Sequence, residues 1–319
     1  MIQILYFTYS ARERLYAHVL EHCLHDILKE FYKAEILSAK TGLGYSNISF
    51  KQALKIESLE DFFDKINKKL FIKHQKLVLS EIWNKKRNYF TLSELIENGH
   101  RSKSSLNKAK KDFYNISYEM FKSFCKKRFK LKIAKNLKDI QNINFETEHR
   151  PESKLNFNFP QKQLKKMSVI EYGWLFTVKN ITEATVLSWF YDSFLDNIDK
   201  KLYQEGVSYD TEGILYKPLG NYLFVNISII ADKIAPIKFS PELNYEKFSK
   251  KKQGFIKELK KDKFFDLEDA FYQKMDWGNY MTKEERIAFI QKISHSKWSN
   301  KFDEKEAKQK IIAIVDIDN

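Results

Sequence analysis

The feature that most restricts the fold of this chain is an order of elements that runs through it twice. The opening stretch "IQILYFTYS" reads as a strand, and "ARERLYAHVLEHCLHDILKEFYK" follows as a long helix with Leu15, Val19, Ile27 and Phe31 at helical spacing. Two short strands, "AEILSAK" and "NISFKQALKI", flank the turn "TGLGYS", whose glycines suit positive φ. One or two helices come next, starting at Glu57 or Ser58 and striped by Phe62, Ile66, Leu70 and Leu77. The helix "ISYEMFKSFCKKRF" and the strand-like "KLKIAKNL" close this half. Residues 141–165 are polar, carry Pro151 and Pro160 and show no period, as a linker does. The plan then restarts with the strand "VIEYGWLFTVK" and the helix "EATVLSWFYDSFLDNIDKKLYQ". The strands "VSYDTEGILY" and "GNYLFVNISI", Lys-rich helices and a terminal strand "KIIAIVDI" complete it. Strand, helix, hairpin, helices, strand, taken twice, predicts an α+β protein of two related domains, 1–140 and 166–319. Each is expected to be an antiparallel-rich sheet packed with helices.

At 319 residues the chain has the length for two such domains. No apolar run reaches the roughly 18 residues of a transmembrane helix. The start has no basic region and no small-residue cleavage site, so a signal peptide is not expected. Cys23 and Cys125 are far apart and form no C-x-x-C pair, which fits a reduced, cytoplasmic protein. The net charge of +14 raises the question of nucleic acid, but only seven of the 56 basic residues are Arg. Scattered lysine is the mark of a solvated surface, whereas readers of bases and phosphates favour the arginine fork. No nucleic-acid-binding motif accompanies the charge, so nucleic acid is not an expected partner. The Lys runs at 250–252 and near 261 read as a solvated helix face, with an acidic peptide partner as the sharper alternative. Trp174 and Trp189 lie in apolar segments and read as core, and His100, His149 and His295 stand isolated.

The chemistry-bearing stretch is "YAHVLEHCLH", residues 16–25. His18, Glu21 and His22 spell H-x-x-E-H, and residues four apart share one face of a helix, so both imidazoles can reach one ion. Two His and one carboxylate hold zinc with a fourth position open, and a nearby Glu can take a proton from water there. Cys23, about 140° around the helix from His18, reads as packing. For the third ligand, His25 is one candidate, two turns beyond His18. Glu81 in "KLVLSEIW", on a second helix whose apolar side would pack near the first, is the better one, leaving His25 as a supporting or surface residue.

These residues resemble the insulinase (pitrilysin) family, which includes the mitochondrial processing peptidases. The resemblance is carried by "HVLEH", then "GLGYSN", then "KLVLSEI". It continues more loosely through "ISYEMFKSFCKKRF" and "LYQEGVSYDTEGILYKPLGNYLFVNI". It implies a short zinc metalloendopeptidase with His18, His22 and Glu81 as zinc ligands, one ion per chain and Glu21 as general base. It further implies a clamshell of two domains and a homo- or hetero-dimer with a related chain. Tyr209 matches a tyrosine the family applies to the substrate from the second domain, and Tyr203 stands where an arginine is usual. The peptide substrate is expected to pair with an exposed strand edge near Ser46 and Asn47. Three departures stand out: only 63 residues separate His18 from Glu81, His74 replaces an acidic residue, and Tyr203 replaces the arginine. The competing readings are a non-catalytic or partner-dependent subunit and, less well supported, a basic nucleic-acid-binding protein.

Overall fold

The computed structural model describes residues 2–9, 13–42, 44–51, 59, 61–83, 111–143, 168–208, 211–216, 222–261 and 267–315. The chain forms two compact units. The first contains strands β1 (Ile2–Thr8), β2 (Glu35–Thr41), β3 (Tyr45–Lys51) and β4 (Lys132–Ala134). They form one antiparallel sheet in the order β2-β3-β1-β4. Its helices are α1 (Arg14–Glu30), α2 (Asp61–Lys65), α3 (Lys68–Trp83), α4 (Tyr118–Arg128) and α5 (Leu137–Gln141).

Strand β1 is buried almost throughout because both faces of the sheet are covered. Leu5 and Phe7 point to the side of α1, joining Ile48 and Phe50 of β3 and Val19, Leu20, Cys23, Leu24 and Ile27 in one core. Tyr6 points the other way and packs edge-on against Phe271 of a further helix, Leu267–Trp277. That helix lies in the first unit although it falls within the 166–319 stretch assigned above to the second domain. The face of the sheet turned away from α1, polar on the hairpin and aromatic at Tyr6, is thus covered from far along the sequence.

The second unit holds β5 (Ser168–Thr177), α6 (Ile181–Gln204), β6 (Thr211–Tyr216), β7 (Tyr222–Ala231), α7 (Tyr245–Lys261) and β8 (Gln309–Val315). The Leu267–Trp277 helix of the first unit is α8 in chain order, and α9 (Lys283–Lys292) and α10 (His295–Lys301) return to the second. Its sheet runs β6-β7-β5-β8, again antiparallel, so the two sheets share one topology: first strand inside, hairpin on one flank, last strand on the other. Asn180 caps α6 by accepting from the N–H groups of Thr182 and Glu183. Trp174 and Trp189 are buried, as their apolar surroundings predict. A Cβ on Gly213 would fall 2.0 Å from the Tyr191 hydroxyl, so only glycine lets β6 lie against α6.

Several stripe assignments shift. Phe31 and Leu77 are exposed; on α3 the buried positions are Phe71, His74, Gln75, Val78 and Leu79. The start at Glu57 or Ser58 and most of the 141–165 linker lie outside the described residues. Of the turn glycines, Gly44 has positive φ, while a Cβ on Gly42 would press on the Tyr45 ring at 3.2 Å. His295 meets the aromatic rings of Phe190, Phe248 and Tyr245 rather than standing alone. His100 and His149 lie outside the described residues.

Candidate metal centre

Helix α1 carries four Leu among its residues and no Gly or Pro, and burial of its Ala17–Leu20–Leu24–Leu28 side in the core holds it in place despite several weaker helix formers. That anchoring leaves His18 and His22 half-buried on an adjacent face, one turn apart. Helix α3 brings Glu81 against them. The Nε2 atoms of His18 and His22 are 3.3 Å apart, and Glu81 Oε2 lies 3.4 Å from the first and 3.6 Å from the second. Donor atoms about 2.0–2.2 Å from one tetrahedral ion stand roughly 3.3–3.6 Å from each other. The observed triangle has those sides, and it is the only such group of three or more His, Cys, Asp or Glu side chains among the described residues. The donor set, two imidazoles and one carboxylate, is one that would suit zinc.

Glu21 is outside the triangle. It is 5 % exposed, and burial pushes its carboxyl up to about 7. The Thr41 hydroxyl, donating to Oε2 at 3.1 Å, pulls it back, and the Glu81 carboxylate raises it again. Thr41 in turn sits 3.1 Å from the Ser46 hydroxyl, its cross-strand partner, so with Thr41 donating to Glu21 the Ser46 hydroxyl donates to Thr41. Thr41 is the residue the sequence reading missed; the only available signal was its place at the end of a strand next to a glycine turn.

Ser46 and Asn47 do not form an exposed edge. Both are 0 % exposed, on β3, which is paired on both sides. Asn47 donates through Nδ2 to the Tyr272 hydroxyl on the opposite face of the sheet. Of the two hairpin arms it is β2 that lies at an edge of the sheet, unpaired on its outer side among the described residues, with a bulge between Ile36 and Ser38 before a regular run to Thr41. The error was one of hairpin arm: the polar pair sits on the inner arm and the open backbone on the outer one.

His25 stays out of the triangle, its Nδ1 3.3 Å from Asp26 Oδ1. His74 is buried behind His22 and bonded to Asp26. Cys23 and Cys125 are fully buried, and burial raises both thiols, Cys23 foremost through desolvation. Tyr203, in the last turn of α6, is 66 % exposed, and Tyr209 lies outside the described residues. No helix among the described residues is long and apolar enough to cross a membrane.

Solved structures give the comparison that decides the architecture. A protein described as an M16-like peptidase from Alicyclobacillus acidocaldarius matches 98 % of this chain and 92 % of its own at a TM-score of 0.53 and 12 % identity. A protease from Helicobacter pylori matches over 98 % and 93 %, with a TM-score of 0.58 and 12 % identity. Pitrilysin matches 98 % of this chain but 40 % of its own, at 0.57 and 9 %. The fold is that of M16-like peptidases. Neither a comparison of the sequence with protein-family profiles nor one with curated protein sequences finds a match.

Proposed function

We propose that this chain is a zinc-dependent endopeptidase acting on an extended peptide, such as a small peptide precursor. One arrangement supports the reading: a zinc-sized triangle of His18, His22 and Glu81 beside a buried carboxylate that is not part of it. Zinc held by those three side chains would supply Lewis-acid polarisation of the scissile carbonyl and a readily deprotonated water. Glu21 takes the proton released as water attacks and returns it to the leaving amine. Thr41, bonded to Oε2, holds that carboxylate in one orientation through the transfer. Strand β2 offers its unpaired edge to the peptide backbone, and because its last residue is Thr41, strand addition brings the peptide beside the base. Tyr203 and Tyr209 as substrate donors, and a dimer with an identical or related chain, belong to the same proposal.

The test separates binding from chemistry. Glu21→Gln keeps the shape but not the base, so zinc content should stay at the wild-type level. Cleavage of a fluorescence-quenched peptide library should fall by roughly a hundredfold or more. Wild-type turnover in this variant would place the base elsewhere.

A further inference from the structure

Behind the proposed ligands lies a second polar group that the reaction does not use. His74 on α3 is 2 % exposed, and its ring stacks on that of His22, centroids 5.3 Å apart with planes 24° apart. His22 in turn faces His18, with centroids 5.0 Å apart. The His74 ring is itself held: Nε2–H donates to Asp26 Oδ2 at 2.8 Å, since a carboxylate can only accept. Lys73, the preceding residue on α3, donates to the same oxygen at 2.6 Å, and His25 Nδ1 lies 3.3 Å from the other. Asp26 is one turn past His22 on α1, and Glu81 is two turns past His74 on α3. A purely space-filling residue at position 74 would be apolar. The imidazole leaves Nδ1 buried with no hydrogen-bond partner among the described residues, a cost that the Nε2–H bond to Asp26 offsets.

We propose that Asp26 and His74 are positioning residues for the metal centre. The pair latches α1 to α3 at the spacing that lets Glu81 meet the histidines, and it fixes the ring plane in which His22 presents Nε2. The inference rests on the metal-binding reading of His18, His22 and Glu81. It places the supporting carboxylate on the same helix as the two histidines, with an imidazole between it and His22. A free imidazole ligand must be ordered on binding, and a ring already held by a buried neighbour is not. Outer-shell groups that hydrogen-bond a ligand are worth roughly 10–100-fold in metal affinity, and the stacked His74 is set on the same scale.

The experiment is zinc affinity by competition with a chromophoric chelator, together with the visible spectrum of the cobalt(II)-loaded protein. Wild type is compared with Asp26→Ala, His74→Ala and Asp26→Asn. Both alanine variants should bind zinc roughly 10–100-fold more weakly and shift the cobalt bands. Asp26→Asn, which still offers an oxygen to His74, should recover most of the affinity. Folding of each metal-free variant is followed by circular dichroism, and if an alanine variant fails to fold, His74→Phe, which retains a buried ring but no donor, takes its place with the same expected loss. Wild-type affinity and an unchanged cobalt spectrum in folded variants would overturn the latch while leaving the metal site standing. Absence of zinc binding by the wild type would overturn the metal reading itself and the latch with it.

Discussion

A carboxylate as buried as Glu21 has to be held by something, because an ionised group taken out of water costs several kcal/mol unless it is partnered. Here the partners are one hydroxyl and a raised proton affinity, which is the state a group that must both take and give a proton near neutral pH requires. Asp26 is the contrasting case. Burial would raise its carboxyl, but the hydrogen bonds from Lys73 and His74 outweigh burial and hold it at about 2, below its usual 3.8. The folded-state value is therefore depressed, so the stabilisation is present above about pH 4 and is lost as pH falls toward 2. The gap in unfolding midpoint between wild type and Asp26→Asn should accordingly be at its full width at about pH 5–6 and narrow mainly between about pH 4 and 2; a gap that does not change with pH would contradict the ionised pair. At this scale the sequence was legible where spacing alone decides geometry. His18 and His22 are four apart on a helix, and nothing in the tertiary structure can separate them. Thr41 and Asp26 were not legible, because their roles depend on which strand end and which helix come to lie alongside.

Helix α8 shows what a single element contributes to the sheet of the first unit. Glu268 accepts from the hydroxyls of Ser38 on β2, Ser49 on β3 at 3.1 Å and Tyr272 in its own helix at 3.3 Å. Asp276, two turns on, accepts from Tyr45 at 3.0 Å, and Lys40 lies over the Tyr272 ring. These alternate residues of β2 and β3 form the polar side of the hairpin, so the helix docks by hydrogen bonds there and by Phe271 on Tyr6 further in. Glu268→Ala leaves buried Ser49 without its acceptor and should cost about 1–3 kcal/mol in chemical denaturation, with Glu268→Gln, which keeps an acceptor oxygen, costing less. Equal, negligible losses in both would mean that the helix is held by its apolar contacts alone. Elements were legible from the alternation and helical period of the sequence. Their faces were less so: Leu77 fits an apolar stripe by spacing, yet α3 turns His74 and Gln75 inward because Asp26 and the Phe113 carbonyl are there to receive them.

The two units repeat one antiparallel four-stranded topology; the repeated order of elements led to two related antiparallel-rich sheets, though not to their strand order. The return of α8 to the first unit could not be read from order, because a helix that leaves its own domain has the same local pattern as one that stays. Among the described residues only the first unit carries such a donor triangle, and everything proposed about the reaction depends on whether that triangle holds metal. The most direct measurement is elemental analysis of the purified full-length chain, after exposure to zinc and removal of excess, for wild type, Glu81→Ala and Glu21→Gln side by side. The account predicts about one zinc per chain in wild type and in Glu21→Gln, and little or none in Glu81→Ala. A wild type that takes up no zinc, or a Glu81→Ala variant that retains a full equivalent, would contradict it.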